Sequence, residues 1–262
     1  MVLVGRRAAL AALVCAGAAG FVPGTGSSAA ASPSSAAAAA SAAATAGPRP
    51  PASLLGDEIR RLPTSRKALA LTFNAAWDDA GVDTVLAELR RRKLPATFFP
   101  TGRFAEAEPA AVHAMADAGH GLGNHSYSHP YFDGLSTTER ADEVSAADAA
   151  IRKASGTEPL PFFRFPYSST TPESIADVNA LGYAAIEFSA DTNGYLGPEG
   201  GMSVDRAVRR AVDAFAPGAI IQMHVGSHGD GVVLDAQALP LIIDAALADG
   251  YEVIDLRRFL EA

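Results

Sequence analysis

Residues 68–99, ALALTFNAAWDDAGVDTVLAELRRRKLPATFF, contain the pattern that decides the fold. Ala68–Phe73 is a continuous apolar run that predicts a buried strand, and Ala96–Phe99 predicts a second strand. Between them, Val82–Arg92 carries apolar residues at the spacing of one helical face. A strand, a helix and a second strand in this order form the unit from which parallel sheets are built.

The same alternation of apolar runs and amphipathic segments continues to the C-terminus. Further strands are predicted at Gly121–Asn124, Phe162–Phe165, Ala184–Phe188, Ala219–His224 and Glu252–Asp255. Further helices are predicted at Glu106–Ala118, from the Ser136–Glu139 capping box to Ala154, from Thr171-Pro172, at Ser203–Phe215 and at Ala236–Ala248. About seven strands without hairpin signals predict an α/β fold, a single distorted (β/α) barrel of parallel strands, with an open α/β sheet as the alternative.

The N-terminal residues 1–31 have the composition of an export signal. The basic pair Arg6-Arg7 precedes a short apolar run and then small residues, which is typical of a cleaved secretory signal peptide. The arginine pair also fits twin-arginine export. The apolar run is shorter than a membrane span requires. Its sequence favours cleavage over lipid anchoring at Cys15, which is the only cysteine of the chain. We therefore expect a secreted or cell-envelope protein without a stable membrane span.

The remainder divides into a linker and one folded domain. Residues 32–64 are rich in Ala, Ser and Pro, which predicts a disordered tether. Residues 65–262 have the length of a single domain. The net charge is −8, from 21 basic and 29 acidic residues, and becomes −10 without Arg6 and Arg7. An acidic domain without Lys/Arg runs argues against a nucleic-acid partner, and we expect a monomer.

Polar side chains cluster just after the predicted strands. Active sites of parallel α/β folds form at the C-terminal ends of the strands. Those positions carry metal-ligand and acid–base side chains: Asn74, Asp78, Asp79, His125, His129, Arg164, Tyr167, Asp191 and His224. Two histidines four residues apart can share a metal ion, and a carboxylate from another strand would complete three ligands. The pattern predicts a metal site that leaves positions open for water.

From about Lys67 to the C-terminus, the chain resembles a polysaccharide deacetylase of the NodB-homology type, carbohydrate esterase family 4. Besides a modified first motif, four motifs follow in the family's order: His125–His129 (HSYSH), Arg164–Tyr167 (RFPY), Phe188–Thr192 (FSADT) and Ile220–His224 (IIQMH). The resemblance implies that residues 65–262 are a catalytic domain. It also implies an acetylated polysaccharide or oligosaccharide as the substrate.

The first motif departs from the family pattern, Thr-Phe-Asp-Asp-Gly, in which the first Asp is the base and the second a metal ligand. Here Thr72-Phe73 is followed by Asn74, which cannot accept a proton at neutral pH. We interpret the departure as an inserted loop that brings Asp78 in as base and Asp79 as ligand, with their order left open. The alternative is that these carboxylates only cap the helix that starts near Gly81.

The resemblance implies N- or O-deacetylation by water activated on one divalent ion, with Zn²⁺ favoured and Co²⁺ or Ni²⁺ as alternatives. It implies these roles: Asp79, His125 and His129 as metal ligands; Asp78 as base, oriented by Arg164; His224 as general acid, tuned by Asp191; and the Tyr167 N–H as oxyanion donor. Trp77, Tyr127 and Gln222 are further candidates for substrate contact.

Two other functions remain open at this point. Asn74, and Gly194 in place of the second Asp of the fourth motif, are compatible with a weak or inactive carbohydrate-binding pseudoenzyme. A hydrolase of small amides on a related barrel is the other alternative.

Overall fold

The computed structural model describes residues 49–227 and 229–260. The predicted signal peptide 1–31, with Cys15, and residues 32–48 of the predicted tether lie outside the described residues. The strands are β1 (Ala68–Ala75), β2 (Thr97–Pro100), β3 (Gly121–Leu122), β4 (Phe162–Phe163), β5 (Ala184–Ala185), β6 (Ala190–Asp191), β7 (Ala219–His224) and β8 (Glu252–Ile254). The helices are α1 (Val82–Arg92), α2 (Gly102–Ala107), α3 (Pro109–Asp117), α4 (Thr137–Ser155), α5 (Pro172–Ala180), α6 (Val204–Val212) and α7 (Leu234–Ala248).

All strand pairs in the described residues are parallel, as the alternation predicted. The larger sheet has the order β3-β2-β1-β7-β6, and β8 pairs with the first residues of β1. β4 and β5 form a second, two-stranded sheet. A bridge between Asn124 and Phe163 joins the two sheets next to β3. The result is an α/β fold in the form of a distorted barrel, which confirms the predicted fold class.

Strand β1 lies at the centre of the larger sheet, between β2 and β7, and every one of its residues is buried. Its apolar side chains pack with those of β7 and of helices α1 and α7 in the main hydrophobic core. Helix α4 begins at the predicted capping box, in which the Ser136 side chain accepts from the Glu139 N–H and the Glu139 side chain accepts in return. Strongly buried strands and capped helices are therefore the elements that the sequence predicted best.

Three details differ from the sequence-based expectation. The segment predicted as one helix over Glu106–Ala118 is two helices, because Pro109 begins α3 after a break at Glu108. The two-residue strand β6 was not predicted. Part of the predicted tether also packs on the domain.

That part of the tether is held by buried leucines and backbone hydrogen bonds. Leu54 and Leu62 are buried. The Ile59 N–H donates to the Ala185 carbonyl at 2.8 Å, and the Leu62 N–H donates to the Gly218 carbonyl at 2.8 Å. The folded domain therefore starts before residue 65, and the disordered boundary at residue 64 is corrected. Within residues 49–227 and 229–260, none of the helices has the length and apolar character required to cross a bilayer.

Candidate functional site

A cavity of about 320 Å³ opens at the C-terminal ends of β1 and β7. This is the edge of the sheet at which parallel α/β folds place their sites. Its walls consist of residues from motif loops of separate strands: Asn74, Ala76, Trp77, His125, His129, Phe165, Tyr167, Ser168, Phe188, Asp191, Tyr195, Gln222 and His224. The lining thus includes seven of the eleven predicted site residues, and the four outside it are Asp78, Asp79, Tyr127 and Arg164.

His125 and His129 lie on one wall with their ring centroids 4.8 Å apart. His125 Nδ1 donates to the Arg164 carbonyl at 2.8 Å, so its Nε2 carries the lone pair. His125 Nε2 and His129 Nδ1 are buried and have no hydrogen-bond partner in the described residues. Burial lowers the pKa of His129 to about 4 and holds the pKa of His125 well below its ordinary value. Both imidazoles are therefore neutral at pH 7.

A carboxylate of α4 holds the loop that carries these histidines. Glu143 accepts from the Tyr127 N–H at 2.9 Å, the Ser128 N–H at 2.7 Å and the Ser128 hydroxyl at 2.6 Å. Ser126 and His129 have left-handed φ values of 66° and 64°, a conformation that non-glycine residues rarely adopt. The Glu143 contacts with Tyr127 and Ser128, and the hydrogen bond from the His129 N–H to the Ser126 hydroxyl at 3.0 Å, stabilise this loop conformation.

Arg164 lies buried beneath the cavity and contacts Asn74. Its Nη1 donates to Asn74 Oδ1 at 3.0 Å, and its other nitrogens donate to the carbonyls of Ile186 and Glu187. The guanidinium lies 4.1 Å over the Phe99 ring. Burial lowers the pKa of Arg164 to about 10, which leaves it cationic at pH 7. Asn74 therefore occupies the position at which the predicted Arg–carboxylate contact was expected.

No inserted loop separates Asn74 from the end of β1. Asn74 pairs in register with Phe99 of β2 and His224 of β7, and the ladder continues through Ala75. Ala75 is fully buried and packs in the main hydrophobic core. The first motif is therefore occupied in place by Asn74 and Ala75, neither of which has a carboxylate.

The expectation that Asp78 and Asp79 enter the site is corrected by their contacts. Asp78 accepts from the N–H and hydroxyl of Ser227 and from the Ala80 N–H. Asp79 is exposed, and its carbonyl accepts from the Val82 N–H at the start of α1. Neither residue lines the cavity. Because β1 keeps a regular register through Ala75, the chain has already left the cavity when it reaches these two carboxylates.

The donor set does not fit the predicted metal site of two histidines and one carboxylate. The unpartnered nitrogens of His125 and His129 fit two ligands. The third ligand is missing, because Ala75 and Asn74 supply no carboxylate beside them. Across the part of the chain that the structure describes, no group of three or more His, Cys, Asp or Glu side chains is arranged to hold a metal ion.

On the opposite wall, His224 lies between two carboxylates. Its Nδ1 is 3.9 Å from Asp191 Oδ1 and 3.6 Å from Asp235 Oδ2. Gln222 was predicted as a substrate contact; it lines the cavity, and its Nε2 donates to Asp191 Oδ2 at 2.8 Å. The sequence analysis predicted Asp191 here but missed Asp235. An acidic residue in the first turn of α7 has the ordinary role of complementing the helix dipole, so its position gave no distinctive signal.

Two exposed aromatic side chains, Trp77 and Tyr167, line the cavity, and a third, Tyr131, stacks on Tyr167. Trp77, Tyr131 and Tyr167 are each more than half exposed. The Tyr131 and Tyr167 rings are stacked with centroids 4.1 Å apart, and Trp77 lies 5.1 Å from His129. Tyr127 is different: its hydroxyl donates to Glu106 at 2.8 Å, and it does not line the cavity. The expectation of a substrate contact is therefore corrected for Tyr127.

Comparison with known proteins gives the same family as the motifs. Residues 61–186 match the family model described as polysaccharide deacetylase. The chain is 31% identical over 196 residues to a chitooligosaccharide deacetylase of Bradyrhizobium sp. (strain ANU 289), with 71% of this chain and 88% of that protein covered. It is 27% identical over 177 residues to the peptidoglycan-N-acetylmuramic acid deacetylase PdaA of Bacillus subtilis (strain 168), with 66% and 65% covered.

Among solved structures, the chain resembles a CE4 family pseudoenzyme from Bacillus anthracis. The TM-score is 0.70 at 26% identity, with 78% of this chain and 69% of that chain covered. A mutant of the same protein is described as having restored enzymatic activity. The sequence-based assignment to an enzyme family of deacetylases is thus confirmed. The chain belongs to the polysaccharide deacetylases of carbohydrate esterase family 4, which are hydrolases acting on carbon–nitrogen bonds other than peptide bonds.

Proposed function

We propose that this domain binds an N-acetylated polysaccharide of the cell wall in the cavity and removes its acetyl groups slowly. The observation that carries the proposal is the hydrogen bond from Arg164 to Asn74, in the position expected for the base. The remainder of the site supports glycan binding and proton transfer, whereas the residue that would activate water is neutral. General acid–base catalysis contributes roughly 10²- to 10⁴-fold, and the metal site lacks a ligand as well, so we expect turnover below that of relatives by at least this factor.

The proton transfers fall to His224, which lines the cavity and has two carboxylates beside it. Water adds to the acetyl carbonyl carbon as its proton passes to His224 Nε2. The same proton then moves to the leaving nitrogen as the carbon–nitrogen bond breaks, which gives acetic acid and a free amine. The acid then passes its remaining proton to the amine or to water and becomes acetate. Without a carboxylate base, one imidazole must serve both transfers. The Tyr167 N–H remains our candidate for the oxyanion donor.

The exposed aromatic side chains support a sugar polymer as the ligand. The apolar faces of pyranose rings can stack on aromatic rings, which combine a large apolar area with few rotatable bonds. Trp77 and the stacked pair Tyr131–Tyr167 present such faces at the cavity mouth. The relatives named above are deacetylases of chitooligosaccharide and peptidoglycan. We therefore favour a polymer of N-acetylated amino sugars over small amides.

We also propose that the chain is exported through its N-terminal signal and works as a monomer at the cell envelope.

Zn²⁺ is the favoured ion for two neutral imidazoles, with Co²⁺ and Ni²⁺ as alternatives. His125 and His129 alone would hold it weakly, since a catalytic zinc site ordinarily has three protein ligands.

A second candidate function is glycan binding without catalysis. It is favoured by the absence of a carboxylate at both Asn74 and Ala75, and by the similarity to a pseudoenzyme. Acetate release from peptidoglycan, chitin oligomers and acetylxylan, with and without a chelator, distinguishes the two. Slow release from one amino-sugar polymer supports the proposal. Retention of the protein on a polymer without any acetate release supports the second candidate, and neither binding nor release would contradict both.

A further inference from the structure

His224 has two carboxylate neighbours that differ in how much of their hydrogen-bonding capacity is already used. Asp191 Oδ1 accepts from the Asn193 N–H at 2.8 Å, and its Oδ2 accepts from Gln222 Nε2 at 2.8 Å. Its nearer oxygen lies 3.9 Å from His224 Nδ1. Both carboxylate oxygens of Asp191 thus already accept a hydrogen bond from a residue other than His224.

Asp235 lies closer to His224 Nδ1 than Asp191 does, and only one of its two carboxylate oxygens accepts a hydrogen bond in the described residues. It is fully buried, its Oδ2 accepts from the His224 backbone N–H at 2.8 Å, and the same oxygen lies 3.6 Å from His224 Nδ1. Asp235 Oδ1 and His224 Nδ1 are both buried without a hydrogen-bond partner in the described residues. Because the 3.6 Å from His224 Nδ1 to Asp235 Oδ2 is just beyond hydrogen-bonding distance, a small rotation of the ring would bring Nδ1 within reach of that oxygen. Buried polar atoms are rarely left unpaired, so that rotation is favourable.

Gly194 makes room for this carboxylate. A Cβ on Gly194 would lie 2.1 Å from Asp235 Oδ1, so a side chain at position 194 is incompatible with Asp235 where it stands. Gly194 is also the position at which the fourth motif of the family carries its second Asp. The loss of a carboxylate on the loop after β6 is therefore matched by a carboxylate on α7.

We propose that Asp235, rather than Asp191, is the positioning residue for His224 and accepts a hydrogen bond from its Nδ1–H. This places the Nε2 lone pair of His224 towards the cavity, as the proton transfers above require. Other titratable side chains near His224 are Tyr195, with its ring centroid 4.4 Å away, and the imidazoles of His125 and His129. The role in turnover rests on the proposed function, but the hydrogen bond itself does not.

The test is NMR of the histidine rings in the full chain at about pH 8, with D235N and D191N as matched variants. Each substitution neutralises one carboxylate and keeps its volume. The His224 signals are assigned by their loss in H224N. In the unmodified chain we expect a protonated Nδ1 with a low-field proton, because a charged acceptor strengthens the bond. D235N should move that proton upfield, and D191N should leave it in place.

Three results would overturn the proposal: a proton on Nε2 in the unmodified chain, a change in D191N, or no change in D235N. If D235N does not fold, the unmodified chain and D191N still decide, because Asp191 as partner requires D191N to lose the signal. Where acetate release is measurable, D235N should lower kcat about tenfold or more with KM within about threefold. An absent acetate signal bears on the proposed function, whereas the NMR result stands apart from it.

Discussion

The two walls of the cavity differ in their carboxylates: two lie beside His224 on one wall, and positions 74 and 75 supply none on the other. On the His224 wall, the imidazole Nδ1 lies 3.9 Å from Asp191 and 3.6 Å from Asp235. On the β1 wall, Asn74 and Ala75 supply no carboxylate, although Arg164 still donates to Asn74. An amide oxygen accepts the same hydrogen bond as a carboxylate oxygen, so the wall keeps its shape after losing its charge. The scaffold of the site and the chemistry of the site are therefore separable in this fold.

The largest effect is expected from introducing carboxylates on the β1 wall, at positions 74 and 75. N74D/A75D should raise acetate release by roughly 10²- to 10⁴-fold, because the first substitution supplies a base beside Arg164 and the second restores the carboxylate that the family's first motif uses as a metal ligand. A charge at the buried position 75 should also lower the Tm in chelator and make the Tm rise on adding Zn²⁺. Acetate assays and thermal unfolding measure both effects.

D78N is the control for this prediction. Asp78 contacts Ser227 and lies outside the cavity, so D78N should leave acetate release unchanged in either background. Loss of release in D78N would instead restore the inserted-loop interpretation of the first motif.

Glycan binding should depend on the aromatic side chains at the mouth, whichever wall carries the charge. W77A or Y167A should weaken binding of chito-oligosaccharide about fivefold, since one aromatic contact is worth on the order of 1 kcal/mol. Calorimetric titration measures the Kd. L241A is the control, because Leu241 is exposed and does not line the cavity. F215A is unsuitable, because Phe215 packs against the core. Equal weakening by L241A would contradict a stacking role.

N74D alone should stabilise the fold by pairing the buried Arg164. A hydrogen bond between charged groups contributes about 1.5–3 kcal/mol, compared with about 1 kcal/mol for a neutral one. The difference is on the order of 1 kcal/mol, or roughly 2–4 °C in Tm for a domain of this size. A lower Tm in N74D at neutral pH would mean that burial of the new carboxylate outweighs its pairing with Arg164.

Glu187 is a further buried carboxylate, beside the segment that follows β4, and its effect should be the smallest. It accepts from the Phe165 N–H and the Ser168 hydroxyl, and burial raises its pKa above the ordinary 4.5. The folded state then binds a proton more readily than the unfolded state, so this group favours folding below pH 4.5. That contribution is lost as the pH rises through the folded-state pKa. E187Q should therefore reduce the loss of Tm that accompanies a rise in pH from below 4.5 through the folded-state pKa of Glu187. An unchanged dependence of Tm on pH in E187Q would contradict this prediction.

The sequence predicted elements and site residues to different extents, for physical reasons. β1, α1 and the capped start of α4 were predicted because their apolar spacing and capping residues act locally. His125, His129, Arg164 and His224 were predicted because strand ends meet at one edge of a parallel sheet. Asp235 was missed because its role depends on the packing of α7 against β7. Asp78 was misplaced because strand register beyond Phe73 is set by β2 and β7, not by local sequence.

Because β1 keeps its register at Asn74, a single-base mutation can introduce a carboxylate at this position. One base change converts an Asn codon into an Asp codon. Because Arg164 already donates to the side chain at position 74, such a mutation would place a carboxylate directly against a buried cation. No insertion, deletion or rearrangement of neighbouring residues is needed. One substitution at position 74 would therefore give the site a carboxylate base paired with Arg164 across from His224.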